Sequence, residues 1–442
     1  MSRQAYPQYK PSDVAWLGDI PKHWKVLAIK FALAIPITDG PHETPEFLPD
    51  GIPFLSAESV KDDRLDFNRK RGFISPGDHA RFSKKYVPKR GDVYMVKSGA
   101  TTGNVARMET DEVFNIWSPL AVLRPHPAHS TTDFIFYFMK SRSFLASVEV
   151  AWSYGTQQNI GMGVVSNLRI ALPLIEEQKA ITAFLNKETA RIDALIEKKQ
   201  RQIELLQEKR SALISYAVTK GLDPNAKMKE SGIEWLGKIP AHWDVRSIRR
   251  IAKAVKTGGT PPGAEEIHFD EHGFNWFTPS DFHDDVVLAE SSRKLSEIGK
   301  KEVRVFPPMT VMMIGIGATI GKVALSSEPS SCNQQINAIV CNSKMAPKYL
   351  TYSLRIMREY IFRCGKFTTL PIINQEDTKA LIVTCPPLNE QNEITSVLDK
   401  ETERTDALIC RIQMSIDKLR EYRTALISAA VTGKVDVRKE VS

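Results

Sequence analysis

The nonapeptide WLGDIPKHW, at Trp16–Trp24, returns in the second half of the chain as WLGKIPAHW, at Trp235–Trp243. Both copies keep two tryptophans, a Leu-Gly pair, an Ile-Pro pair and a histidine in the same places. A stretch of this composition does not return by chance. The nonapeptide therefore predicts that the chain contains an internal repeat.

Four further stretches return in the same order and at nearly the same spacing. They are PLIEEQ (Pro173–Gln178) and PPLNEQ (Pro386–Gln391), KETARIDALI (Lys187–Ile196) and KETERTDALI (Lys400–Ile409), EKRSALISYAVTKGLD (Glu208–Asp223) and EYRTALISAAVTGKVD (Glu421–Asp436), and GATTGNVA (Gly99–Ala106) and GATIGKVA (Gly317–Ala324). Two copies indicate a tandem duplication rather than a solenoid. The segments between these copies are mostly dissimilar, so the repeat predicts a common frame that carries two globular parts free to differ.

The charged segment of each half has the pattern of a long helix. After Pro173 no proline or glycine occurs until Gly221. Apolar or long-stemmed residues follow one another at steps of three and four, which is the helical period. In the first copy they are Ile181, Leu185, Glu188, Ile192, Leu195, Lys199, Ile203, Leu206, Arg210, Leu213 and Ala217. In the second they are Ile394, Leu398, Glu401, Thr405, Leu408, Ile412, Ile416, Leu419, Arg423, Leu426 and Ala430.

Both stripes contain two successive steps of four before Ile203 and Ile416, a stutter that locally unwinds a supercoil. A helix of about 45 residues is about 65 Å long at 1.5 Å per residue. One narrow apolar stripe on such a rod needs cover from another helix, and the other copy is the natural partner. Twofold pairing of two copies makes them antiparallel. The alternative is that each helix packs only on its own globular part.

The globular parts combine short strands with helices. Strand-like runs bounded by turn-forming residues include GDVYMVKSG (Gly91–Gly99), SPLAVLRP (Ser118–Pro125), MTVMMIGIG (Met309–Gly317) and NAIVCN (Asn337–Asn342). The predicted class is α+β, with two β-rich domains joined by two long helices in a pseudo-twofold arrangement. The predicted boundaries are 1–172 for the first domain, 173–221 for the first helix, 222–385 for the second domain, 386–434 for the second helix and 435–442 for a tail.

Composition and charge narrow the class of protein. The 442 residues are 42% hydrophobic and 25% charged, with a formal net charge of +8. Such a charge permits nucleic-acid binding without requiring it. No apolar run approaches the ~18 residues of a membrane span, so we expect a cytosolic protein with no membrane partner. The five cysteines all lie in the second half without a Cys-x-x-Cys pair, which favours reduced thiols and no metal site.

Catalytic motifs are missing from the sequence. None of the Pro-Pro pairs is part of an adenine-methyltransferase motif. GIGATIGK (Gly315–Lys322) has Ile316 where a phosphate loop needs glycine, and Val323 follows where it needs serine or threonine. A glycine-rich turn beside a strand is the better interpretation. Asp50, Glu58 and Lys61 do not have nuclease spacing. We expect no catalytic residue in this chain.

Basic and amide-rich loops are the remaining candidates for a site. NRKRG (Asn68–Gly72) and RFSKKYVPKRG (Arg81–Gly91) suit phosphate contacts, or they are solvated faces. SGATTGN (Ser98–Asn104), YGTQQN (Tyr154–Asn159) and CNQQIN (Cys332–Asn337) present amides and hydroxyls. Such amides pair with adenine in the major groove, or they cap turns and satisfy buried backbone. The sequence leaves both interpretations open.

With these features together, the chain resembles the specificity subunit of type I restriction–modification systems. The resemblance extends over essentially the whole chain. It rests on the paired nonapeptides, the two helix starts and helix ends, TDGPHETP (Thr38–Pro45) with TGGTPP (Thr257–Pro262), and GATIGKVA followed by CNQQINAIV.

The resemblance implies two target-recognition domains joined by an antiparallel coiled coil. Each domain would read one half of a bipartite, asymmetric target in double-stranded DNA, and two readers on one face of DNA lie about 34 Å apart. The helices would set the gap and dock two methyltransferase subunits, which restriction–translocase subunits then join. The chain itself would hold no cofactor and no metal. S-adenosylmethionine, ATP and Mg²⁺ would be used by the partner subunits.

The resemblance and the polar loops together give candidate residues for DNA contact in both halves. They are Thr38, Asp39, Gly40, His42, Arg69, Lys70, Arg71, Lys84, Lys85, Lys97, Ser98, Thr101, Thr102, Gln157, Gln158, Asn159, Thr257, Gly258, Thr260, Thr319, Lys322, Asn333, Gln334, Gln335, Thr368 and Thr369. The alternative function is a stand-alone DNA-binding or scaffold protein that homodimerises through its helices. An unpaired apolar stripe on each helix would favour that alternative.

Overall fold

A computed structural model describes residues 4–150, 159–367 and 370–440. The chain divides into two compact units. Unit 1 is Met1–Gln200 with Gln413–Ser442, and unit 2 is Arg201–Ile412. Each unit therefore combines one globular part with segments of both long helices. The domain boundaries at 172, 221, 385 and 434 stay predictions.

Two long helices run where the sequence predicts them. The first rod is Ile175–Lys220 and the second rod is Leu388–Val431. Each rod begins just after a proline, which is tolerated only in the first turn of a helix because it has no backbone N–H. Each ends near a glycine with positive φ, a conformation that terminates helices. That glycine is Gly221, at φ 81°, after the first rod, and Gly433, at φ 70°, after the second.

The rods pair through ion pairs that the duplication relates to each other. In unit 1, Arg423 of the second rod donates from Nε to Asp193 Oδ1 of the first rod at 2.9 Å. In unit 2, Arg210 of the first rod pairs with Asp406 of the second rod. Asp193 and Asp406 occupy one position of the repeat, and the two arginines occupy another. The residue number in the first rod rises from Asp193 to Arg210 while the number of its partner in the second rod falls from Arg423 to Asp406. The rods are therefore antiparallel, as predicted.

Burial along the rods confirms most of the predicted stripe and corrects one position in each copy. Leu195 and Leu408 are 37% and 39% exposed. Ile196 and Ile409 are more buried and take their places. The two successive steps of four therefore centre on Ile192 and its counterpart in the second rod, not before Ile203 and Ile416. A period of 3.6 residues drifts against a seven-residue repeat, so the facing position shifts by one residue.

The rods also pack on the globular parts. Ile181 and Leu185 lie in the core of unit 1, with Phe134 of the globular part and Ile427 of the second rod. In unit 2, Ile394 of the second rod shares a core with Ala217 of the first rod and with the globular part. Each rod therefore packs both on the other rod and on a globular part, so the alternative that each helix packs only on its own globular part is wrong.

Within the described residues, the globular part of unit 1 contains a six-stranded and a three-stranded sheet. The strands are Tyr9–Pro11, Asp19–Pro21, Lys25–Ala28, Thr38–Asp39, Ile52–Leu55, Val60–Lys61, Arg64–Leu65, Gly72–Ile74, Val93–Val96, Val105–Arg107, Asn115–Ile116, Leu120–Leu123 and Arg169–Leu172. The helices are Pro76–Ser83, Thr132–Met139, Arg142–Val150 and Met162–Asn167. The central strands Val93–Val96 and Leu120–Leu123 are buried on both faces, which explains their continuous apolar runs.

The globular part of unit 2 repeats this plan, with a five-stranded and a three-stranded sheet among the described residues. The strands are Met228–Glu230, Lys238–Pro240, Asp244–Ser247, Ala252–Thr257, Phe269–Phe277, Val287–Leu288, Lys294–Leu295, Thr310–Ile314, Val323–Ser326, Ser331–Cys332, Ile336–Cys341, Lys366–Phe367, Pro371–Ile372 and Ile382–Cys385. The helices are Ile248–Ile251, Glu297–Lys301, Pro347–Ile356, Arg358–Cys364 and Gln375–Ala380. The predicted α+β class is confirmed. No helix in the described ranges is long and apolar enough to cross a membrane.

The first and last stretches of the described chain both pack in unit 1. The Asp436 backbone N–H donates to the Gln4 carbonyl at 2.8 Å. Val437 is fully buried in the unit 1 core, beside the nonapeptide. In unit 2 the segment that follows the first rod continues directly into the second nonapeptide. The C-terminal tail therefore belongs to the folded core of unit 1.

Shortening the side chain of Val437 to alanine is expected to destabilise unit 1 by about 1.5 kcal/mol, because two buried carbon atoms lose their apolar surroundings. Val113, which is 61% exposed in the same unit, provides the matched control. V113A should change stability by less than about 0.5 kcal/mol. Urea unfolding of both variants measures the difference, and equal effects would show that the tail is not part of the core.

Candidate nucleic-acid interface

The repeated nonapeptide connects each globular part to the start of a rod through hydrogen bonds. Trp24 and Trp243 are fully buried. The Trp24 Nε1–H donates to Glu177 Oε1 at 3.1 Å, and the Trp243 Nε1–H donates to Glu390 Oε1 at 3.0 Å. The histidine before each tryptophan lies 2.8 or 2.9 Å from the other carboxylate oxygen. The two histidines therefore have the same structural role in both units.

The glutamine after each glutamate makes a second connection. Gln178 and Gln391 are fully buried in the first turns of the rods. Gln178 Oε1 accepts from the Thr131 backbone N–H at 2.9 Å, and Gln391 Oε1 accepts from that of Ala346 at 2.7 Å. Both amide nitrogens donate to backbone carbonyls. The Glu-Gln pair at each rod start thus builds the same frame in both units.

A second shared feature lies at the end of one strand in each sheet. Asp39 ends a strand that pairs with Leu120–Leu123, and Thr257 ends the strand that pairs with Ile336–Cys341. Gly40 and Gly258 follow. A Cβ on either glycine would lie 1.9 Å from a carbonyl oxygen, so only glycine fits. These two predicted candidates therefore shape the backbone.

The GATTGNVA and GATIGKVA stretches form the glycine-rich turns that the sequence predicts. Gly99, Gly103, Gly317 and Gly321 all have φ between 79° and 104°, and each turn joins two antiparallel strands. Just before each turn an isolated β-bridge joins the chain to a segment that is distant in sequence. Those bridges are Ser98 with Asn159 in unit 1, and Ile316 with Ile372 in unit 2. The strand end, the turn and the distant segment frame an equivalent place in both units.

In unit 1 that place is filled by a charged cluster. Asp39 is fully buried and pairs with Lys85, and its Oδ2 lies 3.3 Å from Lys97 Nζ and 3.2 Å from His42 Nε2. Burial acts to raise the pKa of the Asp39 carboxyl. The hydrogen bond from Lys85 and the charges of Lys85 and Lys97 outweigh it, so the pKa lies below its ordinary value of 3.8. Asp39 therefore holds Lys85, Lys97 and His42 around one carboxylate, and Lys85 and His42 are the two side chains that reach solvent.

Replacing Asp39 by asparagine is expected to cost about 3 kcal/mol at pH 7, because Lys97 stays buried without its counter-charge. A folded-state pKa below 3.8 means that the stabilisation is fully present above that pH and is lost as the pH falls further. The difference between native protein and D39N should therefore stay constant from pH 8 to pH 5. Urea unfolding across this range tests it. If the stability difference between native protein and D39N shrinks between pH 7 and pH 5, the effect of burial on the pKa of Asp39 outweighs the effect of the lysines.

The predicted basic stretch Asn68–Gly72 lies on the surface of unit 1. Arg69 lies 3.6 Å from Asp66, and Arg71 lies 3.3 Å from Glu58. The Lys70 ammonium lies 4.6 Å from the Phe73 ring centroid. Both arginines are about half exposed, and Lys84 is exposed at the end of its helix. Phosphate contact and a solvated, partly neutralised face both remain consistent with this geometry.

In unit 2 the equivalent place is a cleft of ≈430 Å³ with amide side chains in its lining. Three predicted residues, Thr257, Gln334 and Gln335, line it. The Thr260 hydroxyl donates to Gln334 Oε1 at 2.7 Å, and Asn333 Nδ2 donates to Gln335 Oε1 at 3.0 Å. The structure thus brings the predicted TGGTPP and CNQQIN stretches together.

Other predicted candidates lie in turns or outside the described residues. The Thr102 hydroxyl donates to the Gly99 carbonyl at 2.7 Å, and the Lys322 ammonium donates to the Phe282 carbonyl at 2.9 Å. Thr38 lies in the strand before Gly40, and Thr101 and Thr319 lie in the glycine-rich turns. Gln157, Gln158, Thr368 and Thr369 lie outside the described residues. For all of these, DNA contact stays a prediction.

Several lining residues were missed by sequence reasoning. In unit 2 they include Asn337, which is buried, and Gln375, whose amide bonds the Thr257 hydroxyl at 3.0 Å. In unit 1, Arg81 and Asn115 line a smaller cavity of ≈100 Å³ beside Asp39. Asn337 ends the quoted CNQQIN stretch, so its signal was present. Gln375 gave no signal in the sequence, because the helix that it begins meets Thr257 only in the folded chain.

Comparison with known proteins identifies the family. A family model described as the type I restriction modification DNA specificity domain matches residues 45–205 and 240–418. The chain belongs to this family. The specificity domain thus occurs twice, once in each half, as the repeat predicts.

Two relatives from Methanocaldococcus jannaschii match different shares of this chain. The putative type I restriction enzyme MjaX specificity subunit is 23% identical over 433 residues, 96% of each chain. The type I restriction enzyme MjaIX specificity subunit is 28% identical over 169 residues, 37% of this chain and 38% of that protein.

Two solved structures share the fold. A chain described under complex assembly and conformational transition of the type I R-M system has a TM-score of 0.71 at 16% identity, covering 93% of this chain and 98% of its own. The HsdS subunit from Thermoanaerobacter tengcongensis has a TM-score of 0.54 at 16% identity, covering 94% and 98%. At this identity the likeness supports the fold of the specificity-domain chain.

Proposed function

We propose that this chain is the DNA-recognition subunit of a type I restriction–modification complex, and that each globular part reads one half of a bipartite, asymmetric target. One observation carries this proposal. The same frame occurs in both units, but its lining is a charged cluster around Asp39 in one and an amide-lined cleft around Gln334 in the other. A frame kept constant with different linings suits two readers of different sequences.

The rods are proposed to form a coiled coil that sets the gap between the two half-sites and docks two methyltransferase subunits, which restriction–translocase subunits join. The relatives named as restriction enzyme specificity subunits support such an assembly. Exposed apolar side chains on the rod surfaces are suited to contact the docked subunits. Leu195 and Tyr422 are 37% and 44% exposed in unit 1, and Leu205 and Tyr216 are 49% and 48% exposed in unit 2.

The chain is proposed to have no catalytic role of its own and to work in the cytosol. S-adenosylmethionine, ATP and Mg²⁺ are then used by partner subunits. The sequence supports this part of the proposal through its missing methyltransferase, phosphate-loop and nuclease motifs.

The alternative of a stand-alone homodimerising scaffold is not favoured. It requires an unpaired apolar stripe on each rod. Ile181, Leu185 and Ile192 of the first rod are instead buried in one core with Leu426 and Ala430 of the second. The stripe of each rod is therefore largely covered by the same chain.

Co-expression with the methyltransferase subunit of the same system tests the proposal. The chain should co-purify with that subunit, and the complex, but not the chain alone, should transfer labelled methyl groups to DNA. Methyl transfer by the purified chain alone would overturn the non-catalytic role. A chain that only forms homodimers would support the scaffold instead.

A further inference from the structure

The amide-lined cleft of unit 2 contains two glutamines whose side chains are held in defined orientations. Gln334 Oε1 accepts a hydrogen bond from Thr260, and Gln335 Oε1 accepts one from Asn333. The Gln335 backbone N–H also donates to Asn333 Oδ1 at 3.0 Å, which fixes the turn that carries both glutamines. Each amide oxygen has a second lone pair, and each amide nitrogen has two donors. Both amides therefore present a donor and an acceptor side by side.

The floor of the cleft is rigid and already satisfied. Asn337 is buried, and its Nδ2 donates to the Ile373 carbonyl and to Thr378 Oγ1, both at 2.9 Å. A Cβ on Gly315 would lie 2.7 Å from that Asn337 nitrogen, so the residue there has to be glycine. The Gln375 amide is committed to Thr257. The floor thus fixes the shape of the cleft, while Gln334 and Gln335 each keep amide donors and one acceptor lone pair for a ligand.

Charge around the cleft is compatible with an approaching backbone of DNA. Glu376 is the acidic residue of the lining, and Arg249 and Lys379 balance it at 2.7 and 2.6 Å. Arg304 is exposed beside the cleft, where its Nη1 reaches the Thr257 carbonyl at 3.4 Å. A guanidinium at this position can contact a phosphate while the amides meet a base edge.

We propose that Gln334 and Gln335 are specificity-determining residues that read adenine in one half-site, each able to accept from N6–H and donate to N7. A glutamine amide is complementary to this edge of adenine, whereas guanine presents two acceptors. The equivalent place in unit 1 has cations around Asp39 instead. The inference rests on the proposed function and deepens it, because it names the base and the residues of one reader.

The test uses the complete complex and a duplex that carries its target, with 7-deazaadenine at each adenine of one half-site in turn. This analogue lacks N7 and keeps N6. At one position the native complex should bind the analogue about 10-fold more weakly than adenine. The Q334A or Q335A complex should bind normal DNA about 10-fold more weakly than the native complex does. Placing the analogue at that position should not weaken the binding of this variant any further. The control is Q8A, an exposed glutamine of unit 1 outside the rods and outside both candidate sites, which should match the native complex.

T260V supplies a positioning test. It leaves Gln334 in place but removes the hydroxyl that orients its amide, so it should weaken binding at the same position as Q334A and at no other. The other half-site should be unaffected by all of these variants.

Three outcomes would overturn the inference. They are the absence of coupling between any adenine position and either glutamine, coupling with 7-deazaguanine instead of 7-deazaadenine, and a loss of sequence preference in both half-sites together. A native complex that does not distinguish the target from scrambled DNA would contradict the proposed function itself, so the two failures are distinguishable.

Discussion

W24A is expected to lower the free energy of unfolding of unit 1 by about 3–5 kcal/mol, the cost of emptying a large buried aromatic site. Trp24 is fully buried, 5.9 Å from the Tyr6 ring and 6.4 Å from the Phe134 ring, centroid to centroid. The substitution also removes the indole N–H that donates to Glu177, which is only 8% exposed. A buried carboxylate that loses a donor adds to the cost. Urea unfolding followed by fluorescence measures the change.

Two variants separate the contributions. W24F keeps much of the ring and loses the donor, so it should cost clearly less than W24A. W235A removes a tryptophan of the second nonapeptide that is 36% exposed and whose ring lies tilted against that of Tyr360, 5.5 Å from centroid to centroid. It should cost about 1 kcal/mol. Equal losses for W24A and W235A would show that the nonapeptide does not fasten the globular part to the rod.

Exchanging residues 1–172 for those of another family member should change one half of the methylated target completely and leave the other half and the gap unaltered. The reason is that the charged cluster around Asp39 lies wholly in this segment, whereas the Gln334 cleft lies wholly in unit 2. The donor segment must keep the tryptophan and histidine that bind Glu177, because that carboxylate belongs to the rod. Methylome sequencing of cells with the hybrid complex measures the outcome.

The reciprocal exchange of residues 222–385 is the control, and it should change only the other half. A hybrid whose two halves both change would contradict independent readers. A hybrid that loses methylation but still co-purifies with its methyltransferase would indicate damage to DNA binding rather than to assembly.

Periodic features of this fold were predictable from the sequence. The rods follow from an apolar stripe at helical spacing, and their antiparallel pairing follows from the duplication. The misassigned position is one that the helical pattern could not decide. Leu195 and Ile196 are both apolar, so the pattern alone could not decide which one faces the partner. Packing decided it, because Ile196 lies against the unit 1 core and Leu195 is 37% exposed.

The candidate site was predictable in its parts and not in its assembly. The sequence marked TDGPHETP, TGGTPP and CNQQIN as polar stretches. It could not show that Asp39 is buried between two lysines, since both cations are distant along the chain. It also could not show that Gln375 and Thr257 meet, because residues 118 positions apart are joined only by tertiary structure. Whether a polar residue faces DNA or satisfies the fold depends on such contacts.

The proposed function requires one frame to carry two different readers at a set separation. Methylome sequencing of a cell that contains the complete system measures the resulting target. We expect a motif of two short, unlike specified halves, separated by a gap of fixed length and unspecified sequence, that disappears when this chain is deleted. A continuous motif, two identical halves, or a motif that survives the deletion would contradict it.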